Sequence, residues 1–201
     1  MIRLPFLFLA ALALPLPAHA ETLEGDQRLA QQLVTVRCAL CHGLDGQSLS
    51  PLYPKLASQN AEYIVKQIFN FKTGQRESTV MRDVANTLSA ADIRALANYF
   101  SRLPITPHPP SDPEVAAVGR YIYFKGNPLS GVAPCVTCHG VYATGGAQMP
   151  RLAGQHADYL ERQLKGFIDS SRSNDMSMHA VVRGLTELEI RGVSQYLSGQ
   201  E

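Results

Sequence analysis

The chain has little charge and no excess of either sign. Lys and Arg total 18 against 17 Asp and Glu, and charged residues make up 17% of its 201 positions. A protein that binds nucleic acid by neutralising phosphates carries a basic surplus, so the composition argues against that class. Cysteine is scarce: four in a chain of this length do not make a disulfide-stapled mini-protein, and their placement needs a chemical reason. The sequence also lacks a phosphate-binding loop, a nucleophile–base constellation and convincing strand alternation. Past the first twenty residues no segment is apolar enough to span a bilayer. What is present, with 45% hydrophobic residues, is a globular composition suited to one or two domains.

The opening residues stand apart. Met1-Ile2-Arg3 gives a short positive start, Leu4 to Leu16 an apolar run broken by Pro5 and Pro15, and Ala18-His19-Ala20 a small-x-small cleavage site. This is the pattern of a secretory signal peptide over residues 1–20. A membrane anchor is the competing reading, but the run is shorter than a spanning helix and interrupted by proline. Loss of Arg3 with the leader balances the mature polypeptide at 17 basic and 17 acidic residues. The expected product is exported to the periplasm, and any membrane contact after cleavage is peripheral.

The rest of the chain repeats itself. Cys38-Ala39-Leu40-Cys41-His42 recurs 97 positions later as Cys135-Val136-Thr137-Cys138-His139. Pro54, Leu56, Gln59, Tyr63, Gln67, Phe71 and Arg76 recur at an offset of 96, as Pro150, Leu152, Gln155, Tyr159, Gln163, Phe167 and Arg172. Met81, Leu88, Ile93 and Tyr99 return at 97, as Met178, Leu185, Ile190 and Tyr196. Between the copies Pro104, Pro107, Pro109, Pro110 and Pro113 crowd together, a density that stops helices and favours an extended connector. The expected organisation is a first domain over 21–103, a Pro-rich linker over 104–113 and a second domain over 114–201. Domains this small bury limited apolar surface, so a large cofactor would contribute to each core.

Local patterns are helical. Ser89-Ala90-Ala91-Asp92 reads as a capping box before Ile93, Leu96, Ala97 and Phe100, and Thr186 to Glu189 repeats the device. Residues 61–72 and 157–168 form a second helical pair, while Leu23 to Arg37 and Glu114 to Lys125 lead towards the cysteine motifs. The fold class is all-α.

Cys-x-x-Cys-His is the attachment signature of c-type haem. Two thiols three positions apart, here Cys38 with Cys41 and Cys135 with Cys138, reach the two vinyl groups of one porphyrin, and the adjacent His42 or His139 becomes an axial ligand. A thioredoxin-like pair would not need the histidine and belongs to an α/β pattern missing here. A four-cysteine zinc site draws its second pair from nearby, not from another domain. A disulfide within each pair leaves the histidines unexplained.

Beyond these motifs, Tyr53 to Gln59, Tyr63 with Gln67, and Thr73 to Arg76 resemble the first half of the cytochrome c4 family of dihaem cytochromes. Met149 to His156, Tyr159 with Gln163-Leu164, and Arg172 to Asp175 resemble its second half. The resemblance covers almost all of the mature chain. It implies two class I cytochrome c domains about a pseudo-twofold axis, each with a covalently bound haem c. It also implies a methionine as sixth ligand, which closes the iron and raises its potential. An open sixth position would instead suggest peroxidase or gas chemistry. Met81 is the only methionine between Cys41 and the linker. It is expected in the loop before the final helix and is carried over as the first ligand, although a methionine there could equally pack a core. In the second half Met178, at offset 97, is preferred to Met176. The proximal histidines would donate to the carbonyls of Pro54 and Pro150. His179, opposite Arg82 in the repeat, reads as a solvated loop residue, and Tyr63 and Tyr159 as core aromatics. The implied function is electron transfer, not enzymatic catalysis, from a quinol-oxidising bc-type complex to a terminal haem–copper oxidase. The alternative is an electron-accepting partner of a periplasmic dehydrogenase for sulfide or thiosulfate.

Overall fold

The computed structural model describes residues 18–201, with side chains from Asp26 onward. The expected leader lies outside the described residues except for its last three, which open the first helix.

In the first domain, α1 (Ala18–Leu33) runs into a π-helical turn (Val34–Cys38) and then a four-residue helix α2 (Ala39–His42). A loop leads to α3 (Ala61–Thr73), α4 (Thr79–Asn86) and α5 (Ala90–Ser101). The second domain repeats the order as α6 (Pro113–Lys125), α7 (Val136–His139), α8 (Ala157–Ile168), α9 (Met176–Val182) and α10 (Glu187–Ser198). Among the described residues there is no sheet, only two isolated bridges, Asn127 with Val132 and Gly146 with Met149. Both expected capping boxes are made, Ser89 with Asp92 and Thr186 with Glu189.

Each domain packs its first helix across its last, α1 on α5 and α6 on α10. The first core gathers Val34, Ile64, Ile68, Phe71, Leu88, Ile93, Leu96 and Phe100. The second gathers Tyr123, Ala153, Leu160, Val193 and Leu197. At the α6–α10 crossing the backbones touch, since a Cβ on Gly119 would lie 1.8 Å from the carbonyl oxygen of Gly192. The copies differ just after the first helix: α1 passes through its π turn directly to the cysteines, whereas α6 ends at Gly126 and a loop intervenes.

Met81 is not in a loop as expected, and Met178 shares its setting. They lie in α4 and α9, because the side chains of Ser78 and Asp175 accept their backbone N–H groups and cap a short helix around each. The segment between the domains is fastened on both sides. Thr106 accepts from Lys55 Nζ, and Gln47 bonds both Pro104 O and the Thr106 N–H. His108 N–H reaches Ser198 O at 2.9 Å. Pro113 is already the first residue of α6, capped by Asp112.

Candidate functional site

In both copies a single helical turn presents the cysteines and the histidine together. That turn ends at Gly43 (φ +77°, ψ 158°) and Gly140 (φ +78°, ψ 166°), a backbone region that residues with a Cβ scarcely enter. No atom lies within 4 Å of where a Cβ would stand on Gly140, so conformation, not space, demands glycine there.

The histidines are held alike. His42 is 7% exposed and His139 5%. His42 Nδ1 lies 2.9 Å from the Pro54 carbonyl oxygen and His139 Nδ1 3.3 Å from that of Pro150. A carbonyl can only accept, so each Nδ1 carries the proton and donates it. Burial holds both rings below the usual histidine range, against the opposing pull of the proline carbonyls and, for His139, of Asp175. A neutral ring protonated at Nδ1 keeps its lone pair on Nε2, the form a metal binds.

The four thiols are free; Cys38, Cys41 and Cys135 are half-buried and Cys138 exposed. Burial pushes Cys38 and Cys135 up to about 11, so neither is an activated thiolate of the redox or zinc-binding kind. Among the described residues no three His, Cys, Asp or Glu side chains converge on a metal-binding cluster, so the zinc reading has no site.

Met81 and Cys38 both pack at the rim of the first core. In the second domain Cys135 borders the core, whereas Met178 is half-buried outside it. Met176 opens α9 and is 70% exposed. Met178 occupies the same capped position in α9 that Met81 occupies in α4. His179 is not the solvated loop residue expected: it sits in α9 with Nδ1 2.6 Å from the Phe167 carbonyl at the end of α8.

The block that repeats at offset 96 forms the domain interface, a role that sequence reading did not give it. Arg76 donates to Gln67 in its own domain (2.9 Å) and to Tyr159 (2.8 Å) and Gln163 (2.7 Å) in the other. Arg172 mirrors it, donating to Gln163 (2.8 Å), Tyr63 (2.9 Å) and Gln67 (3.4 Å). The tyrosines expected as core aromatics therefore serve as cross-domain acceptors. Each guanidinium also lies over a phenylalanine of its own domain, Arg76 over Phe71 and Arg172 over Phe167. Burial alone would raise the Tyr159 phenol, but Arg76 and Arg172 outweigh it and draw it below the usual tyrosine range. Among the described residues neither arginine has a carboxylate within ion-pair distance. The interface thus encloses two cations with neutral partners, a charge that the carboxylates of a porphyrin would balance.

The residues present fit a haem c in each domain: paired thiols, a buried neutral histidine with Nε2 left to bind, and cations for anionic edges. Comparison with known proteins agrees. Residues 25–100 match the family model described as cytochrome C oxidase, cbb3-type, subunit III, and residues 124–201 match that of cytochrome c. The chain is 41% identical to a cytochrome c4 of Thiocapsa roseopersicina, over 87% of this chain and 93% of that one. It is 37% identical to a thiosulfate dehydrogenase electron acceptor of Thiomonas intermedia, over 81% and 78% of the two chains. The crystal structure of reduced recombinant cytochrome c4 from Pseudomonas stutzeri superposes with a TM-score of 0.82 at 33% identity, covering 87% of this chain and 98% of that one.

Proposed function

The chain belongs to the cytochrome c4 family, and from that premise we propose that this dihaem electron-transfer protein works in the periplasm between a quinol-oxidising bc-type complex and a terminal haem–copper oxidase. A haem c bound in each domain supplies a one-electron ferric–ferrous couple. Cys38 and Cys41 hold one group and Cys135 and Cys138 the other, with domain limits at 21–103 and 114–201 on either side of the linker. His42 and His139 would bind iron through Nε2; burial keeps both rings neutral, and the carbonyls of Pro54 and Pro150 orient them by accepting the Nδ1–H bonds. Met81 and Met178 would supply the second ligand to each iron, which favours a carrier over an enzyme with an open iron. Arg76 and Arg172 hold the domains edge to edge and offset negative charge there. The observation that carries this reading is the doubled turn of two thiols and a buried, Nδ1-anchored histidine.

A second reading has a specific observation behind it, the likeness to thiosulfate dehydrogenase electron acceptors. On that reading the protein takes electrons directly from a periplasmic dehydrogenase. Purification separates the two, since a stoichiometric complex with a catalytic subunit favours the acceptor and an independent protein favours the shuttle.

The ligand assignment is tested by optical redox titration of the holoprotein. Two haems per chain are expected, with a far-red methionine-to-ferric-iron band that Met81→Ala and Met178→Ala each weaken. Loss of the second-domain component in Met176→Ala, but not in Met178→Ala, would reverse the choice of ligand.

A further inference from the structure

Each peptide that holds a histidine is gripped on its other side by the opposite domain. The Pro54–Lys55 peptide offers its carbonyl to His42 at 2.9 Å, while its N–H donates to Oε1 of Gln155 at 2.9 Å. The Pro150–Arg151 peptide offers its carbonyl to His139 at 3.3 Å, while its N–H donates to Oε1 of Gln59 at 2.8 Å. Each glutamine then closes a ring by donating from Nε2 to the carbonyl of the same Lys55 or Arg151, at 2.9 Å in both cases.

The orientation of these amides is fixed by their partners. Gln155 Oε1 also accepts the His156 N–H (3.0 Å), and Gln59 Oε1 the Asn60 N–H (2.9 Å). Turning either amide over would set an NH2 against two N–H donors and an oxygen against a carbonyl. Gln155 is 5% exposed and Gln59 7%, so water does not compete for these bonds.

We propose that Gln155 and Gln59 are positioning residues that tune the iron-binding histidine of the domain opposite their own, each acting through one peptide group. The inference rests on the reading of His42 and His139 as iron ligands. A peptide whose N–H is bound has a more electron-rich carbonyl, because hydrogen bonds in series polarise one another. That carbonyl draws harder on the Nδ1 proton, makes the ring a stronger donor at Nε2 and stabilises the ferric state. Each domain thereby sets part of its neighbour's potential, through the peptide and not through a hydrogen bond between the glutamine and the histidine. The shorter chain through Pro54 makes the effect larger at the first site.

The test uses the holoprotein with Gln155→Met and Gln59→Met, the iron of each domain being assigned by proton NMR of its axial ligands. For Gln155→Met, the ferric–ferrous equilibrium of the His42 site should move roughly two- to fourfold towards ferrous. At 59 mV per decade that is about 18–36 mV upward. The ferrous His42 Nδ1–H resonance should move upfield, and the His139 site should stay unchanged. Gln59→Met should give the mirror image, smaller, at the His139 site. Ser198→Ala, a charge-neutral change that removes the hydrogen bond to the linker carbonyl of His108 without touching either peptide, should move neither site. No shift, equal shifts at both sites, or a shift in the variant's own domain would overturn the inference. If a variant does not fold, amide exchange in the unaltered holoprotein decides. Lys55 and Arg151 N–H groups as protected as the core support the proposal, and freely exchanging ones refute it. Failure of the ligand reading is visible separately, as the absence of histidine hyperfine signals from the unaltered holoprotein.

Discussion

Arg76 shows how much one side chain does when it is buried without a counter-charge. Its fork spans both domains, binding Gln67, Tyr159 and Gln163 while its face lies over Phe71. Arg76→Gln should cost about 3 kcal/mol in chemical denaturation, because hydrogen bonds to a charged group are lost and acceptors are left buried. Arg76→Lys should recover little, since an ammonium cannot reproduce the planar fork. The reach of these residues was hidden in the sequence. Repetition marked Gln59, Tyr63, Gln67 and Arg76 as a set, but a helical stripe does not tell a core-facing aromatic from one whose hydroxyl crosses to another domain. The cysteines and histidines stand out as candidates in the sequence because the chemistry they would serve fixes their spacing.

At the level of helices, caps and crossings decide what forms. The two capping boxes were readable because a Ser or Thr followed by a carboxylate three positions later satisfies both exposed N–H groups locally. The helices α4 and α9 were not, since each is eight residues or fewer and rests on a lone capping side chain, Ser78 or Asp175. The α6–α10 crossing depends on Gly119 lying against Gly192. Gly119→Ala should force these helices apart and destabilise the second domain by about 3 kcal/mol, measured by denaturation of the holoprotein. The first domain, packed through α1 and α5, should be unaffected.

Across the whole molecule the repeat is broken where the linker returns. His156 stands where the first copy has Asn60. Its ring stacks on His108 of the linker at 5.4 Å, and Nε2 donates to the Ser48 carbonyl at 2.8 Å. Burial foremost, with Lys55 and His108 adding, depresses its pKa against the pull of Ser48 O and Asp158. A histidine with a folded pKa below its unfolded value near 6.5 leaves the unfolded chain holding more protons in that window. Stability should therefore be flat above about pH 7 and fall from about pH 6.5 downward, and His156→Asn should flatten that slope. Urea denaturation at several pH values measures both. Two all-α domains and a proline-rich join were legible because periodicity and repetition are local signals. The contacts that lock the join, from Lys55, Gln47 and Ser198, were not, because they unite residues far apart in the chain.

The reciprocal pairing of Arg76 with Tyr159 and of Arg172 with Tyr63 is the signature of an isologous association, in which a patch recognises its own copy. Such a surface would suit two separate half-length chains as well as it suits the joined protein. The tether then only raises the effective concentration of two faces that already complement each other. The match is not complete, since Asn60 stands in one half where His156 stands in the other.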